Sequence, residues 1–492
     1  MQLSPAILFS QNEQHKDVAH KSVRGGIITL GSTGLMFGIN IIRTVILARL
    51  LTPKDFGIIG MVAVFINFVA MFKDAGLSTA TIQKSVISNE QISTLAWLNL
   101  IITATFGLIL FIGSPAISFF YGKPELTAVT MALASSFVLS GLTIQHRALL
   151  QRHMRFDLLA LTTIISTTGG LVVSVMLALI GWSYWALVAG TISMTILDGL
   201  LTFFFCPWMP SKMQKGTGVR GMLKFGIHLT GSSFANYFSR SVDKILIGKL
   251  VGAEALGVYN KAYELFRMPT NNILSPIRNV AVPALSSLQK KNNQFKKYYG
   301  RIIALTATMI FPVSIYFYIE ADFFIPLVLG PQWMEAIPVF KILAIGGLIQ
   351  PITGQSGILM ITTGNSKRYL QWQIFYSICL VVSFIVGVQW GIFGLVTAYV
   401  IAEFALFVPS LLHNYKNTPV SPKTVLDELK MPILISLFSA FILLLFKNYF
   451  YSDNEWIRLL YAFIFFGIYA ALTWQRKDMR ITIRSILNKL RP

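Results

Sequence analysis

The sequence predicts an all-α, polytopic membrane protein built as two related halves, and three observations carry that prediction. First, 54% of the 492 residues are hydrophobic and only 12% are charged, where a soluble domain carries about 25% charged residues. Second, residues 158 to 197, 369 to 402 and 91 to 122 contain no Lys, Arg, Asp or Glu. A bilayer crossing takes roughly 20 apolar residues, so the first two runs, broken at Gly181-Trp182 and Trp390-Gly391, each hold two spans. Third, the stretch VRGGIITLGSTGLMFGINIIRTVILARLLTPKDFGIIG at 23 to 60 is echoed by RSVDKILIGKLVGAEALGVYN at 240 to 260. A constant shift places Leu47 on Ile247, Arg49 on Lys249, Leu50 on Leu250 and Gly57 on Gly257. A span-turn-span unit repeated in the same order is what two similar bundles around a shared mid-membrane pathway leave in a sequence. A transmembrane β-barrel is excluded, because barrel strands alternate apolar and polar over about 10 residues and these runs are apolar on every side.

Taken in order, apolar windows between charge clusters give about 14 transmembrane helices. They lie near 25 to 47, 56 to 72, 93 to 113, 126 to 145, 158 to 179, 183 to 206, 222 to 247, 255 to 276, 302 to 319, 336 to 360, 369 to 388, 392 to 412, 431 to 447 and 457 to 474. There are 41 Lys and Arg against 20 Asp and Glu, and in a membrane protein that excess reads first as topology. Lys and Arg gather in short cytoplasmic loops. The basic residues before 25, at 147 to 155, 212 to 224, 290 to 301, 416 to 430 and 476 to 491 then lie on one side, with both termini cytoplasmic. The Pro- and Gly-bearing linker PWMPSKMQKGTGVRG divides the chain into an N-terminal segment 1 to 21, an N-lobe 22 to 206, the linker 207 to 221, a C-lobe 222 to 412, a C-terminal helix pair 413 to 475 and a basic tail 476 to 492. The opening residues lack the basic start, apolar core and small-residue cleavage site of a signal peptide, so insertion uses the first span. Cys206 and Cys379 both fall in spans, which predicts buried thiols rather than a disulfide framework. The outer connection at 320 to 335 is too short and too apolar for a folded domain.

Ionisable groups inside membrane helices are costly and usually face a bundle interior or a wet cavity. Six basic residues fall within the spans: Arg43, Arg240, Lys244, Lys261, Arg267 and Lys341. Arg240, Asp243 and Lys244 share one helix face at spacings of three and four, with Asn236 a turn before. Lys261, Glu264 and Arg267 form a second ladder. Arg43 and Asn40 occupy the repeat positions of Asp243 and Arg240. Arg43 falls deepest in its window. Bases outnumber acids here, which predicts a cavity with net positive walls, suited to an anionic ligand: Arg offers a planar fork for phosphate oxygens and Lys a mobile point charge. The bland counter-reading is that such groups snorkel or pair internally. In AIGGLIQPITGQSGIL, Gly346, Gly347, Pro351, Gly354 and Gly357 interrupt a helix beside Gln350 and Gln355. Broken helices are found where they line a cavity, and small residues also serve plain close packing. Pro269, Pro276 and Pro283 predict a bent element. Asp198 and Glu403 are isolated acids near the ends of their helices and, with Asp243 and Glu264, are the candidate proton or sodium sites. The His146, Arg147, Arg152 and Arg155 cluster reads as anchoring charge, with lipid headgroups as the lesser option.

No nucleotide-binding glycine loop, metal-spaced His/Cys set or Ser-His-Asp arrangement is present. The segments ARLLTPKDFGIIGMVAVF, FKDAGLSTATIQK, WLNL, FFYGKPEL and HRALLQRHMRF resemble the first lobe of Wzx-type polysaccharide flippases of the multidrug/oligosaccharidyl-lipid/polysaccharide exporter superfamily, the colanic acid exporter branch among them. The resemblance implies two six-helix lobes in a V shape plus two C-terminal helices in a bacterial inner membrane. It also implies transport of an undecaprenyl-diphosphate-linked oligosaccharide repeat unit from the cytoplasmic to the periplasmic leaflet for surface polysaccharide, without catalysis and without a cofactor beyond H+ or Na+ coupling. The implied partners are membrane lipids and the glycosyltransferases and polymerase of such a pathway, with the monomer as functional unit and no nucleic acid. Two alternatives stand beside it. An ion-coupled exporter of small cationic molecules would call for a cavity lined by acids and aromatics. A membrane glycosyltransferase or polymerase would call for outer acidic residues on a sizeable domain, and only Glu320, Asp322 and Glu335 offer the acids.

Overall fold

The structure is a computed structural model that describes residues 18–74, 76–84, 86–214, 237, 241–449, 454–475 and 480. Helices follow one another along the described chain: α1 Val18–Leu50, α2 Pro53–Ala70, α3 Leu77–Gln83, α4 Asn89–Tyr121, α5 Glu125–Arg152, α6 Phe156–Leu179, α7 Tyr184–Phe205, α8 Val242–Leu246, α9 Ala253–Ser287, α10 Asn292–Ile319, α11 Ala321–Leu329, α12 Ala336–Gly346, α13 Gln350–Thr362, α14 Ser366–Gly387, α15 Gly391–Tyr415, α16 Pro422–Tyr449 and α17 Glu455–Gln475. Ten spans among the described residues are long and apolar enough to cross a membrane, eleven if the bent pair α12 and α13 counts as one. The window at 222 to 247 lies mostly outside the described residues. Each other window coincides with a helix, or with that bent pair.

Several helices outrun their windows. α4 starts at Asn89, capped by Ser88, whose hydroxyl accepts from the Gln91 amide while Gln91 reaches back to the cap. This reciprocal capping box extends the helix through polar sequence that apolarity alone cannot register. The stretch at 320 to 335 is not a plain connection but holds α11 and a 3₁₀ turn at Pro331–Trp333. α9 runs through Pro269, Pro276 and Pro283 as one continuous helix. The turns read from the charge-free runs are present: Gly181 and Gly391 adopt φ of +88° and +70°, the left-handed region open to glycine.

Contacts divide the chain into two compact units, 1–257 and 258–492. Unit 1 pairs α4 with α5, α6 with α7 and α1 with α6, around Leu77, Ile92, Leu95, Leu149, Leu150 and Trp208. Unit 2 pairs α14 with α15, α10 with α16 and α16 with α17, around Phe295, Tyr299, Ile303, Leu359 and Tyr415. The division by contacts falls after Gly257, where the start of α9 packs on α2 inside unit 1. A Cβ built on Gly57 would lie 1.7 Å from the Ala253 carbonyl oxygen, and one built on Gly257 would lie 1.8 Å from that of Pro53. The two contacts are mirror images in the repeat register. Thr52 begins α2 with its own capping box to Asp55 and a proline at the first turn, which fixes the Pro53 carbonyl for this approach.

Any side chain at Gly57 must push backbone from backbone. Gly57→Val is expected to cost on the order of 1–3 kcal/mol or more by overpacking. Gly26→Val, where nothing lies within 4 Å of the added carbon, is expected to be near neutral, and the apparent Tm of the two purified variants in detergent compares them.

Candidate functional site

The α1 helix runs from Val18 to Leu50, so Arg43 sits in its last third, seven residues, about 10 Å of rise, from the C-terminal end, rather than at the middle. It is exposed, Asn40 a turn earlier is half-buried, and neither has a hydrogen-bond or ion-pair partner among the described residues. On α8, Asp243 is buried and Lys244 half-buried. Arg240 and Asn236 lie outside the described residues, so only Asp243 and Lys244 represent that ladder.

The second ladder, on α9, is partly self-neutralised. Lys261 Nζ donates to Glu264 Oε2 at 2.8 Å, and Arg267 lies over the Tyr263 ring, 5.4 Å from its centroid. Lys341 is also committed: it pairs with Asp322 at 2.7 Å, tying α12 to α11. That pair tethers the element formed by 320 to 335, which explains the basic residue without a ligand.

The break between α12 and α13 is real, with a bend of 41°, and its glycines also pack closely. A Cβ on Gly347 would lie 2.6 Å from both Phe266 and Ser314 side chains, so cavity lining and close packing are not exclusive readings. Beyond the break Gln350 Nε2 donates to the Tyr399 hydroxyl at 2.8 Å. Tyr399 precedes Glu403 by one turn, and the Tyr376 hydroxyl donates to Glu403 Oε1. Glu403 is 1% exposed, so this carboxyl is enclosed by tyrosines inside unit 2. Gln355 Nε2 donates to Thr306 at 3.2 Å, and its buried Oε1 has no hydrogen-bond partner among the described residues.

Asp198, isolated in sequence, is not isolated in space. Arg147 Nη1 donates to Asp198 Oδ1 at 2.6 Å, and Nη2 to Thr163 Oγ1 at 3.3 Å. The neighbouring basic cluster, read from the sequence as anchoring charge, also makes intramolecular contacts. His146 Nε2 meets the Trp208 carbonyl at 2.8 Å, Arg152 donates to carbonyls at Thr81, Ile82 and Lys84 that end α3, and Arg155 pairs with Asp157. These groups hold unit 1 together. Beside them runs a buried chain that apolarity cannot reveal. Thr81 Oγ1 donates to Gln145 Oε1 at 2.8 Å, Gln145 Nε2 to Asn99 Oδ1 at 2.8 Å, and Asn99 Nδ2 to the Lys73 and Asp74 carbonyls at 3.5 and 3.4 Å. One clue was available: an acid alone in an apolar span requires a cation, and Arg147 is among the basic residues at the corresponding helix ends.

A separate cavity of about 610 Å³ in unit 1 is lined by Leu50, Thr52, Lys54, Asp55, Glu125 and Tyr184, among others. Asp55 there is occupied by its cap and by the Ser183 hydroxyl. None of the candidate binding or ion-coupling residues named from the sequence lines it.

An array of apolar helices with charge placed inside them defines a multi-pass membrane protein. Its fold is that of the lipid II flippase MurJ in an inward closed conformation (TM-score 0.71, 13% identity, covering 94% of this chain and 100% of that one). An inward-facing multidrug resistance MATE family transporter is more distant (TM-score 0.58, 14% identity, covering 80% and 95%). The polysaccharide biosynthesis protein family matches residues 46–338, and the chain belongs to that family. Similar proteins include the teichuronic acid biosynthesis protein TuaB of Bacillus subtilis (28% identity, 72% of this chain and 74% of TuaB). The lipopolysaccharide biosynthesis protein WzxC of Escherichia coli is 22% identical over 81% of this chain and 83% of its own. The succinoglycan biosynthesis transport protein ExoT of Rhizobium meliloti is 26% identical over 66% of each.

The buried chain makes a prediction of its own. Gln145→Leu keeps most of the volume but leaves the buried Asn99 oxygen without its donor, while the Thr81 hydroxyl retains the Leu77 carbonyl at 3.1 Å, an expected loss of about 1–3 kcal/mol. Thermal unfolding against Gln151→Leu, which alters an exposed residue on the same helix, checks it.

Proposed function

We propose that this polysaccharide biosynthesis transporter flips an undecaprenyl-diphosphate-linked oligosaccharide repeat unit from the cytoplasmic to the periplasmic leaflet of a bacterial inner membrane. Both termini are cytoplasmic, and the movement is alternating access around a cationic cavity. The observation that carries the reading is the set of basic groups within apolar helices in a chain of this family. Unit 1 offers Arg43 and Lys244, neither in an ion pair among the described residues, and unit 2 offers Lys261 and Arg267. A diphosphate is the part of such a passenger that hydrocarbon rejects most strongly, and guanidinium and ammonium groups are the side chains that offset that cost.

Glu403 is the first candidate for H+ or Na+ coupling, because a carboxyl enclosed by Tyr376 and Tyr399 changes its interactions sharply when it gains or loses a charge. Asp243 and Glu264 remain secondary candidates. Pathway glycosyltransferases and a polymerase are the expected functional partners, and one chain carries a complete pathway. The second reading, an ion-coupled exporter of small cations, draws on that same enclosed acid, but the surplus of bases within the helices weighs against it.

The test is leaflet-resolved flipping of a fluorescent undecaprenyl-diphosphate oligosaccharide in proteoliposomes. Arg43→Ala combined with Lys244→Ala is expected to slow flipping about tenfold or more, the loss of one to two charge-assisted bonds, and an unchanged rate counts against the cavity. Glu403→Gln is expected to abolish the response to an imposed proton or sodium gradient. A gradient response equal to wild type removes Glu403 from the coupling role.

A further inference from the structure

Three buried polar groups of unit 2 each keep one atom without a hydrogen-bond partner among the described residues: Glu403 Oε2, Gln355 Oε1 and Asn414 Oδ1. None of the three residues is more than 1% exposed. Their other ends are engaged. Asn414 Nδ2 donates to Ser356 Oγ at 3.3 Å and to Ser410 Oγ at 3.1 Å, Gln355 Nε2 donates to Thr306, and Glu403 Oε1 accepts from Tyr376. Turning an amide over exchanges its two ends but still leaves one of them unanswered. An amide serving only to join helices gains nothing from an open end, which costs as much as the bond itself returns. A polar atom left open inside a protein is the kind of group that ordered water satisfies, given roughly two to four polar neighbours.

The three groups lie along one line. On α15, Tyr399, Glu403, Ser410 and Asn414 follow at intervals of four, seven and four, which keeps them on one helix face, and all four are buried. α13 runs beside it in the same direction, since Gln350 meets Tyr399 and Ser356 meets Asn414. Gln355, one position before Ser356, lies on the side toward Glu403. Between Glu403 and Ser410 the residues 404 to 409 are wholly apolar, about 10 Å of rise that roughly three waters at hydrogen-bond spacing cover. Half-buried Phe407 stands on the same face in that interval, so the line is open only when its ring turns aside. Glu403 itself faces phenols, Tyr376 of α14 and, one turn back, Tyr399 held by Gln350, and it makes no ion pair among the described residues.

We propose that α13 and α15 hold a chain of ordered waters on Gln355, Ser410 and Asn414, and that this chain carries protons between the basic end of α15 and the Glu403 carboxyl. At that end Arg368 donates to the Asn414 carbonyl at 3.1 Å and Lys416 is exposed. Gln355, Ser410 and Asn414 are positioning residues: they hold water and take no charge themselves. A hydronium at the basic end gives up one proton, each water accepts one and passes one on, and Glu403 becomes neutral with no charge left between. The purpose of the route rests on reading Glu403 as the coupling carboxyl, whereas the route itself rests on the buried groups that line it.

Infrared difference spectroscopy after a rapid pH drop reads the transfer on the full chain in neutral detergent. A carboxyl C=O stretch appears when the group takes a proton, and the part of the signal missing in Glu403→Gln belongs to Glu403. Asn414→Leu is expected to slow that part about tenfold or more, the effect of one lost hydrogen-bond partner on a barrier, while its final amplitude stays at the wild-type level. Asn414→Ser, which restores a hydroxyl, is expected to recover part of the rate, and Phe407→Ala to raise it above wild type. An unchanged rate in either Asn414→Leu or Phe407→Ala overturns the proposal, as does a slowed rate that Asn414→Ser fails to improve. Should Asn414→Leu not fold, Ser410→Ala deletes a single hydroxyl from the same line. It is expected to slow the signal, and a wild-type rate there overturns the route.

A full wild-type signal in Glu403→Gln shows that Glu403 takes no proton and overturns the route as well. Gradient-driven flipping measured alongside separates the two claims. A gradient response lost in Glu403→Gln, with wild-type proton kinetics in Asn414→Leu, leaves the coupling reading standing and removes the water chain. Proton kinetics that follow the expected series in a protein whose flipping ignores the gradient do the reverse.

Discussion

Hydrocarbon offers no hydrogen bonds, so every polar group placed among these helices has to be answered by another part of the protein, and most of the architecture follows from how that is done. The cheapest answer is local. Thr29, Thr33, Thr94, Thr103, Thr191 and Thr362 each return their hydroxyl to a carbonyl one turn back, which lets a polar residue sit in a span without a neighbour. Some amides and charges are also met within one turn, as Asn272 is by the Met268 carbonyl and Lys261 by Glu264, but others are not. These recruit distant partners, and those partners decide which helices are held in fixed register: Gln145 with Asn99, Arg147 with Asp198, Lys341 with Asp322, and Lys447 with a fully buried Glu320 at 2.8 Å.

That division explains what the sequence discloses and what it hides. Helix existence is legible because it depends on unbroken apolarity, and the turns at Gly181 and Gly391 are legible because only a residue without a side chain takes those angles readily. Helix extent is less legible: the first turns of α4 and α10 are polar, and at α4 a side-chain cap carries the helix through them. α11 was hidden for the opposite reason, since nine residues give too short a pattern to separate a helix from an apolar loop.

The candidate site divides along the same line. Individual ionisable residues stand out in apolar surroundings, so Arg43, Lys244, Lys261, Glu403 and Asp198 were all visible. Their partners were not. Lys341 read as a cation within a span until Asp322 was found beside it, Asp198 read as solitary until Arg147 arrived from 51 positions away, and the tyrosines around Glu403 come from two helices and a residue one turn back. Arg43 stands out as an interior charge in its apolar window, but the helix begins upstream at Val18 and runs to Leu50, which leaves Arg43 in its last third. Pairing is a property of three-dimensional neighbourhood, and a list of charges has no access to it.

The repeat has a consequence beyond homology of its halves. Pro53 meets Gly257 and Ala253 meets Gly57, a swap in which each position touches its counterpart's neighbour, as happens across the twofold axis of an isologous dimer. A seam of this kind inside one polypeptide is self-complementary. A length change in the turn before either helix therefore shifts both halves of the contact together, and the two turns can drift in sequence but not independently in length.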